Sequence, residues 1–172
     1  PTEPRLVYGF SGTVSYKRFE FNFAFQGSGQ RSLFINPSAV TPFVNDRALL
    51  SAIWKDHWTP ENMKSNPLWP RLSTNSIAAH NMEEGLLGTE TLRASTYFMR
   101  EVKFLRCQSL ELAYNLPERW VRKLHLQRVK PYVRVNNPFL ISDFDLWDVE
   151  LGSSGFNYPI QRTYSVGINV SF

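Results

Sequence analysis

The sequence has one cysteine, little net charge and no long hydrophobic run, and each of these absences excludes a class of protein. Cys107 alone allows neither an internal disulfide nor a cysteine zinc cluster. The 19 Lys and Arg outnumber the 15 Asp and Glu by only four and are spread along the chain, so no nucleic-acid partner is indicated. No run approaches the ~18 apolar residues that a membrane-spanning helix needs, which excludes a helical membrane protein.

Catalytic and metal-binding patterns are also missing from the sequence. His57, His80 and His125 are far apart and have no metal-ligand spacing. No Ser/His/Asp or Cys/His arrangement and no pair of carboxylates with a positioned acid stands out. We therefore expect no enzyme activity and no cofactor.

The sequence does contain long stretches in which apolar and polar residues alternate, the pattern of β-strands with two different faces. One face of a C-terminal strand carries Tyr164, Val166, Ile168, Val170 and Phe172, and one face of an earlier strand carries Phe19, Phe21, Phe23 and Phe25. Aromatic residues make up 15% of the chain, although its mean hydropathy is only −0.31. Strands with one lipid-facing side and one polar side produce this combination.

The pattern predicts five long strands joined by alternately short and long connections. We expect the strands at about 5–16, 19–35, 97–116, 126–139 and 161–172, and the long connections at about 36–95 and 140–160. Outer-membrane barrels have short periplasmic turns and longer extracellular loops in this arrangement. Within the first long connection, helical spacing predicts a helix opened by Asn45 or Asp46, and Thr59-Pro60 predicts the start of another. Pro131 predicts a bulge in the fourth strand.

Five strands are too few to close a membrane barrel, whose smallest form has ~8 strands. An open edge in hydrocarbon leaves backbone groups unpaired at several kcal/mol each. The sequence therefore predicts the C-terminal part of a larger antiparallel barrel, an all-β fold with long extracellular loops, one of which carries a short helix.

Four segments, in their order along the chain, resemble the SusC/RagA-type TonB-dependent outer-membrane transporters. They are the hairpin from Tyr8-Gly9-Phe10 to Phe25-Gln26-Gly27, the loop Trp58-Thr59-Pro60-Glu61-Asn62 with Pro70-Arg71-Leu72, the strand and turn from Phe104-Leu105-Arg106 to Leu112-Ala113-Tyr114-Asn115-Leu116-Pro117, and the ending from Tyr158 to Phe172. Pro131 and Val135 depart from the family pattern of their strand, and the acidic stretch 146–150 is a degenerate form of a family loop. The resemblance covers nearly the whole chain.

The resemblance implies a parent protein in the outer membrane of a Gram-negative bacterium. That protein would be a plugged barrel of ~22 strands that imports oligosaccharides or peptides, powered by the TonB complex and capped by a SusD-type lipoprotein. The plug and the TonB-contacting region would lie outside this sequence. Substrate identity and oligomeric state stay open, as does whether the chain is a fragment or one chain of a split receptor.

The C-terminal alternation that ends in an aromatic residue is also typical of the signal that the barrel-assembly machinery reads. We assign this signal to Tyr164, Val166, Ile168, Val170 and Phe172, with an ordinary amphipathic strand as the alternative. Pairing of the strand edge with another sheet edge would be the physical mechanism.

The two long connections contain the remaining candidate binding residues. Trp54, Trp58, Trp69 and Trp147 are candidates for contact with a ligand or the lid, but we favour packing because Trp54 and Trp58 lie on the apolar stripe of the expected helix. Asp143, Asp145, Asp148 and Glu150 offer oxygen ligands that suit Ca²⁺, although a solvated acidic loop is the stronger interpretation. Arg119, Arg122, Lys123, His125 and Arg128 form a basic run that we interpret as a solvated periplasmic turn, with lipid head-group contact as the alternative.

A rival from another class remains open on the sequence alone, namely a soluble secreted β-sandwich that binds carbohydrate. In that protein a second sheet would cover the phenylalanine face. Solubility without detergent would distinguish the sandwich from the barrel.

Overall fold

The computed structural model describes residues 2–36, 40–43, 48–63, 67–72, 82–83, 91–92, 96–123, 125–153 and 155–172. Five long strands dominate these residues: β1 (Leu6–Tyr16), β2 (Phe19–Phe34), β5 (Met99–Tyr114), β6 (Arg128–Asn136) and β8 (Thr163–Ser171). Each observed strand falls within the corresponding range expected from the alternation. The pattern did not anticipate three short strands, which are β3 (Met82–Glu83), β4 (Thr91–Leu92) and β7 (Leu140–Ser142).

The long strands form one sheet in the order β1-β2-β5-β6-β8, with β7 paired to β5. The β1–β2, β5–β6, β6–β8 and β5–β7 pairs are antiparallel. This confirms the predicted antiparallel fold. Consecutive long strands are neighbours because their connections bring each one back beside the last, and β1 and β8 form the two edges.

The sheet has one apolar and one polar face, because residues directly opposite each other across two strands share a face. Val14 lies opposite Phe21, and Val133 lies opposite both Leu112 and Val166. The other face pairs polar residues in the same way. The pairs are Thr13 with Asn22, Ser15 with Glu20, Glu111 with Arg134, and Lys130 with Asn169.

The bulge predicted at Pro131 is absent, and the irregularity lies six residues later. Pro131 pairs with Ile168 in an unbroken register, one residue beyond the ladder that β6 makes with β5. The register of β5 shifts by one residue between Ser109, opposite Asn136, and Arg106, opposite Leu140. Asn137 absorbs the extra residue with a φ of 50°, since asparagine tolerates the left-handed region better than most residues.

The helices also differ from the expectation. The first, α1 (Ser51–Lys55), has only five residues, and the expected cap at Asn45 or Asp46 lies outside the described residues. It ends early because backbone N–H groups beyond it bond across to a neighbouring segment: Trp58 donates to Trp69 at 2.9 Å. The start predicted at Thr59-Pro60 forms only a turn, in which the Thr59 hydroxyl accepts from the Asn62 N–H at 2.9 Å.

A second helix, α2 (Glu118–Lys123), occupies the connection between β5 and β6, where the sequence predicted only a turn. Its first turn is anchored because the N–H groups of Trp120 and Val121 both donate to the Pro117 carbonyl. Val121 is buried, while Trp120 is half exposed. No helix among the described residues is long and apolar enough to cross a membrane.

The chain divides into two units. The first comprises residues 1–32, 101–150 and 158–172 and contains most of the main sheet. Its buried apolar residues include Val102, Phe104, Phe144 and Val149. The second comprises residues 33–100 and 151–157, and its buried residues include Ile53, Trp69 and Phe98.

Candidate functional site

The apolar face of the main sheet is exposed, which is unusual for a surface of this size. Aromatic side chains cover its β1–β2 half, where the rings of Phe10 and Phe25 stack at 4.9 Å between centroids. Aliphatic side chains cover the β6–β8 half, and Val166 is 81% exposed. The exposed members are Leu6, Tyr8, Phe10, Val14, Tyr16, Phe19, Phe21, Leu112, Val133, Tyr164, Val166, Ile168 and Val170. A contiguous apolar surface of this kind marks an interface with lipid or protein.

The opposite face carries a hydrogen-bonded polar network across four strands. The Thr13 hydroxyl donates to the Asn22 amide oxygen at 2.6 Å, and the Asn22 amide donates to Glu111 at 3.0 Å. The Arg134 Nε donates to the other oxygen of Glu111 at 2.8 Å. Because Glu111 is nearly buried, these bonds replace the water it has lost. The network gives this side of the sheet a fixed polar surface suited to an aqueous lumen or a polar protein segment.

Glu20 extends the same polar network towards the β1–β2 turn. The Lys130 ammonium lies 2.9 Å from one oxygen of Glu20, and the Arg128 guanidinium lies 3.9 Å from the other. These pairs join β2 to β6, which β5 separates in the sheet. The long lysine and arginine side chains therefore reach over a whole strand on this face.

Arg106 forms the most buried charged site of the first unit. Its side chain is only 4% exposed, and its Nη2 group donates to both oxygens of Asp148, at 2.5 and 2.6 Å. Its Nε donates to Glu150. The arginine thus fastens the connection after β7 onto β5 through charge-assisted bonds. The sequence contained one signal of this site: Arg106 breaks the apolar alternation of its strand.

Three of the four acidic residues considered for Ca²⁺ have other contacts in the structure, and the fourth, Asp145, is exposed. Asp148 and Glu150 face Arg106, and Asp143 accepts the Lys103 backbone N–H at 3.0 Å. Among the described residues, no three His, Cys, Asp or Glu side chains converge as metal ligands would. The positive charge near this acidic stretch comes from the protein itself.

The four tryptophans have different environments. Trp69 is 1% exposed and packs against Phe98 at 5.3 Å between ring centroids, as the packing interpretation expects. The prediction that Trp54 packs on the apolar stripe of a helix is wrong, because its side chain is 62% exposed. Its ring stacks on that of His57 at 5.5 Å between centroids. The helix is too short to bury it. Trp58 and Trp147 are partly buried, and Trp147 contacts the ring of Phe144 at 5.1 Å.

Tyr97 reinforces the packed part of the second unit. Its hydroxyl donates to the Pro67 carbonyl at 2.8 Å, and burial raises the pKa of the phenol. Since the hydroxyl keeps its proton, this bond persists to higher pH than it would for an exposed tyrosine. The Arg100 guanidinium donates to the Tyr97 carbonyl at 2.5 Å and holds the same turn.

The C-terminal strand lies where the assembly-signal hypothesis requires it, at an edge of the sheet. β8 pairs with β6 on one side, and no strand among the described residues pairs with its other side. Tyr164, Val166, Ile168, Val170 and Phe172 are all exposed. The edge therefore offers backbone groups and an apolar row to another strand.

A polar cleft of about 470 Å³ opens near the start of β5, and the sequence analysis did not anticipate it. It is lined by Arg5, Gln30, Ser32, Glu101, Val102, Lys103 and Asp143. Two cations and two carboxylates face a single space, so the cleft is suited to a polar ligand with charges of both signs.

Comparison with known sequences identifies relatives along almost the whole chain. The chain is 32% identical over 193 residues to TonB-dependent receptor P26 of Formosa agariphila, a match that covers 98% of the chain and 17% of the receptor. It is 25% identical to TonB-dependent receptor SusC of Bacteroides thetaiotaomicron, which covers 97% of the chain and 15% of SusC. The chain therefore spans less than a fifth of the length of these relatives. No protein-family model matches the sequence.

Comparison with solved structures gives the same result for the fold. The open-open state of the RagAB peptide importer superposes with a TM-score of 0.69 at 22% identity, covering 99% of this chain and 17% of that one. A structure of the RagAB peptide transporter gives a TM-score of 0.63 at 20% identity, covering 95% of this chain and 17% of that one. The exposed apolar face and the open edges are thus those of a sheet that belongs to a larger barrel.

Proposed function

Given that the chain belongs to the SusC/RagA-type TonB-dependent receptors, we propose that it supplies strands to the outer-membrane barrel of a nutrient importer. The observation that carries the proposal is the exposed apolar face of the sheet, backed by a hydrogen-bonded polar face. In a barrel wall the first face contacts lipid and the second faces the lumen. Among the described residues no second sheet of comparable size covers the apolar face, which disfavours the β-sandwich.

The proposal includes partners that complete the barrel. Five long strands leave the sheet open, so we assign the remaining strands to chain outside this sequence, together with the plug that the family resemblance implies. We assign energy supply to the TonB complex through the absent N-terminal region. We assign insertion to the barrel-assembly machinery, which would pair with the free edge of β8. The exposed row that ends at Phe172 supports this last assignment.

The substrates we propose are oligosaccharides or peptides, admitted under a SusD-type lipoprotein lid. The similarity to the RagAB peptide importer supports the peptide class, whereas the oligosaccharide class and the lid rest on the resemblance of the sequence to the family. Among the loop tryptophans, Trp54 is the best candidate for contact with a ligand or the lid, because its ring is exposed and held by His57. Trp69 serves packing instead. Growth of a receptor-deletion strain on glycans or on peptides as sole carbon source separates the two substrate classes.

Two neighbouring substitutions in β8 of the complete receptor test the barrel proposal. Ile168→Arg places a charge on the apolar face opposite Pro131, where it should cost about 2–4 kcal/mol near the bilayer midplane. Asn169→Arg places the same charge one residue later on the polar face, opposite Lys130, where only the neighbouring cation opposes it. We expect the first variant, measured as folded receptor in outer membranes by heat-modifiable gel migration, to assemble much less than the second.

The comparison is decisive because the two variants share charge, size and strand. Equal assembly of both would refute a lipid-facing apolar side. Failure of Asn169→Arg alone would place lipid on the opposite face. Either result would overturn the proposed function.

A further inference from the structure

One end of the main sheet gathers aromatic side chains from several strands. The β1–β2 turn and the β5–β6 connection lie side by side there, since the Asn115 N–H donates to the Arg18 carbonyl at 2.8 Å. The C-terminal strand ends at the same place, where the Gln127 N–H donates to the Ser171 carbonyl at 2.8 Å. The aromatic residues at this end are Tyr16, Phe19, Tyr114, Trp120 and Phe172. Membrane barrels place such residues at the level of the lipid head groups.

Positive charge is concentrated at the same end, although the sequence spreads it along the chain. Residues 16–19 and 115–128 contain six of the 19 Lys and Arg but only one of the 15 Asp and Glu, Glu118. Arg128 is held by the sheet, through Asn115 and Glu20. The other five cations, which we call the basic rim, are Lys17, Arg18, Arg119, Arg122 and Lys123.

The basic rim is exposed and weakly neutralised. Arg122 pairs with Glu118 at 3.0 Å, but both side chains are at least 80% exposed, so water screens the pair. No carboxylate of the described residues forms an ion pair with Lys17, Arg119 or Lys123. The rim therefore retains charge for an external anion.

Two rim cations lie over the aromatic residues beside them. The Lys17 ammonium is 5.3 Å from the centroid of the Tyr16 ring, and the Arg119 guanidinium is 5.8 Å from that of Trp120. Cation–π contacts at these distances hold the charge at the level of the ring. The helix that carries Arg119 and Trp120 is held against the protein by the buried side chain of Val121, so the fold fixes the position of both residues.

We propose that the basic rim binds the phosphate groups of anionic phospholipids, with Trp120 as its membrane anchor. The inference rests on the proposed function, because it requires the apolar face to lie in lipid. Lipid is favoured over an acidic protein because the rim continues directly from that face: Tyr16 and Phe19, which are paired with each other on the apolar face, flank the rim cations Lys17 and Arg18. Clustered Lys and Arg beside a membrane-embedded apolar surface are the features that recognise anionic head groups.

Fluorescence quenching by brominated lipids tests the proposal on the complete receptor in phosphatidylcholine vesicles that contain a fixed minor fraction of phosphatidylglycerol. Bromine is placed on the phosphatidylglycerol in one set and on an equal amount of the phosphatidylcholine in the other. The difference between wild type and Trp120→Phe isolates the Trp120 signal. One Lys or Arg is attracted to an anionic membrane surface by ~1 kcal/mol, which corresponds to about five-fold enrichment of the anionic lipid near Trp120. We therefore expect quenching by the anionic lipid to be about five-fold stronger.

Two triple variants provide the matched comparison. R119Q/R122Q/K123Q removes three of the five rim cations and should lower the preference for phosphatidylglycerol well below the wild-type ratio. R5Q/K103Q/R162Q removes the same charge from exposed positions at the opposite end of the strands and should preserve the preference. Equal quenching by both lipids in the wild type, or an equal loss in both variants, would overturn the proposal. Full retention of the phosphatidylglycerol preference in the rim variant would also overturn the proposal, and a simultaneous loss of binding to an acidic periplasmic protein would then identify that protein as the partner of the rim.

The outcomes separate this inference from the proposed function. A receptor that inserts with heat-modifiable migration but shows no lipid preference refutes the basic rim alone. A receptor that does not insert, or an Ile168→Arg variant that assembles as well as Asn169→Arg, refutes both.

Discussion

Removing the two carboxylates that hold Arg106 should loosen the connection after β7 more than removing Arg106 itself. The reason is an asymmetry in burial. The arginine side chain is 4% exposed, whereas those of Asp148 and Glu150 are 20% and 30% exposed. When the carboxylates lose their partner, they can rehydrate where they are. When the guanidinium loses both partners, its charge stays buried, and the segment must open to hydrate it.

The magnitudes follow from the same burial. Leaving one member of a buried ion pair unpartnered costs about 3–5 kcal/mol, which we assign to the variant D148A/E150A. For Arg106→Met we expect about 1–2 kcal/mol, because the lost bonds are charge-assisted but water replaces much of their energy at the two carboxylates. Since 1.36 kcal/mol corresponds to a factor of ten, the segment should open roughly 150- to 5,000-fold more often in the first variant. In the second the increase should be roughly 5- to 30-fold.

Amide hydrogen exchange in the detergent-purified complete receptor measures these openings directly. Peptides covering residues 143–150 should exchange faster in both variants, in the stated order, while peptides from β6 stay unchanged and serve as the internal control. Faster exchange in Arg106→Met than in D148A/E150A would refute the reasoning from burial. No acceleration in either variant would show that the cluster does not fasten this segment.

Two further predictions concern packing. Trp69→Ala should destabilise the second unit by about 3–5 kcal/mol because the ring is fully buried, whereas Trp54→Ala should cost less than about 0.5 kcal/mol. Limited proteolysis of the complete receptor compares the two variants, and equal protease sensitivity would contradict the argument from burial. Gly27→Ala should sharply reduce the amount of folded receptor in outer membranes, because the new Cβ would lie 2.3 Å from the Phe104 carbonyl oxygen. In Gly29→Ala the nearest atom, the Lys103 Cβ, would be 3.9 Å away, so this variant should assemble normally. Similar assembly of both variants would refute the steric argument.

Much of the sheet could be predicted because alternation is a local property. A side chain in a strand can point to only one of two faces, so the alternation alone places Val166 and Ile168 on the apolar face, whichever strand lies beside them. The Arg106 anomaly was visible for the same reason. The helices were predicted less well. The spacing of Trp54 and Trp58 is helical, but backbone pairing with Trp69 ends the helix after one turn.

Longer-range features could not be predicted because the sequence does not state which segments meet. Pro131 suggested a bulge, yet the irregularity lies at Asn137, where the β5 pairing passes from β6 to β7. Trp54 and Trp69 read alike as loop aromatics, and only the fold exposes the first and buries the second.

The sequence by itself determined that this protein builds antiparallel strands with one apolar and one polar face, because apolar and polar residues alternate at successive positions of the chain. It also predicted an incomplete sheet, because five strands cannot close a barrel in lipid, while leaving a β-sandwich open as the alternative. Only the tertiary structure decided which charges meet: Arg106 finds Glu150 across 44 positions, and the Lys17–Arg18 turn lies beside the connection that carries Arg119. Charge acts through space, and the distances over which it acts are set by strand order and register.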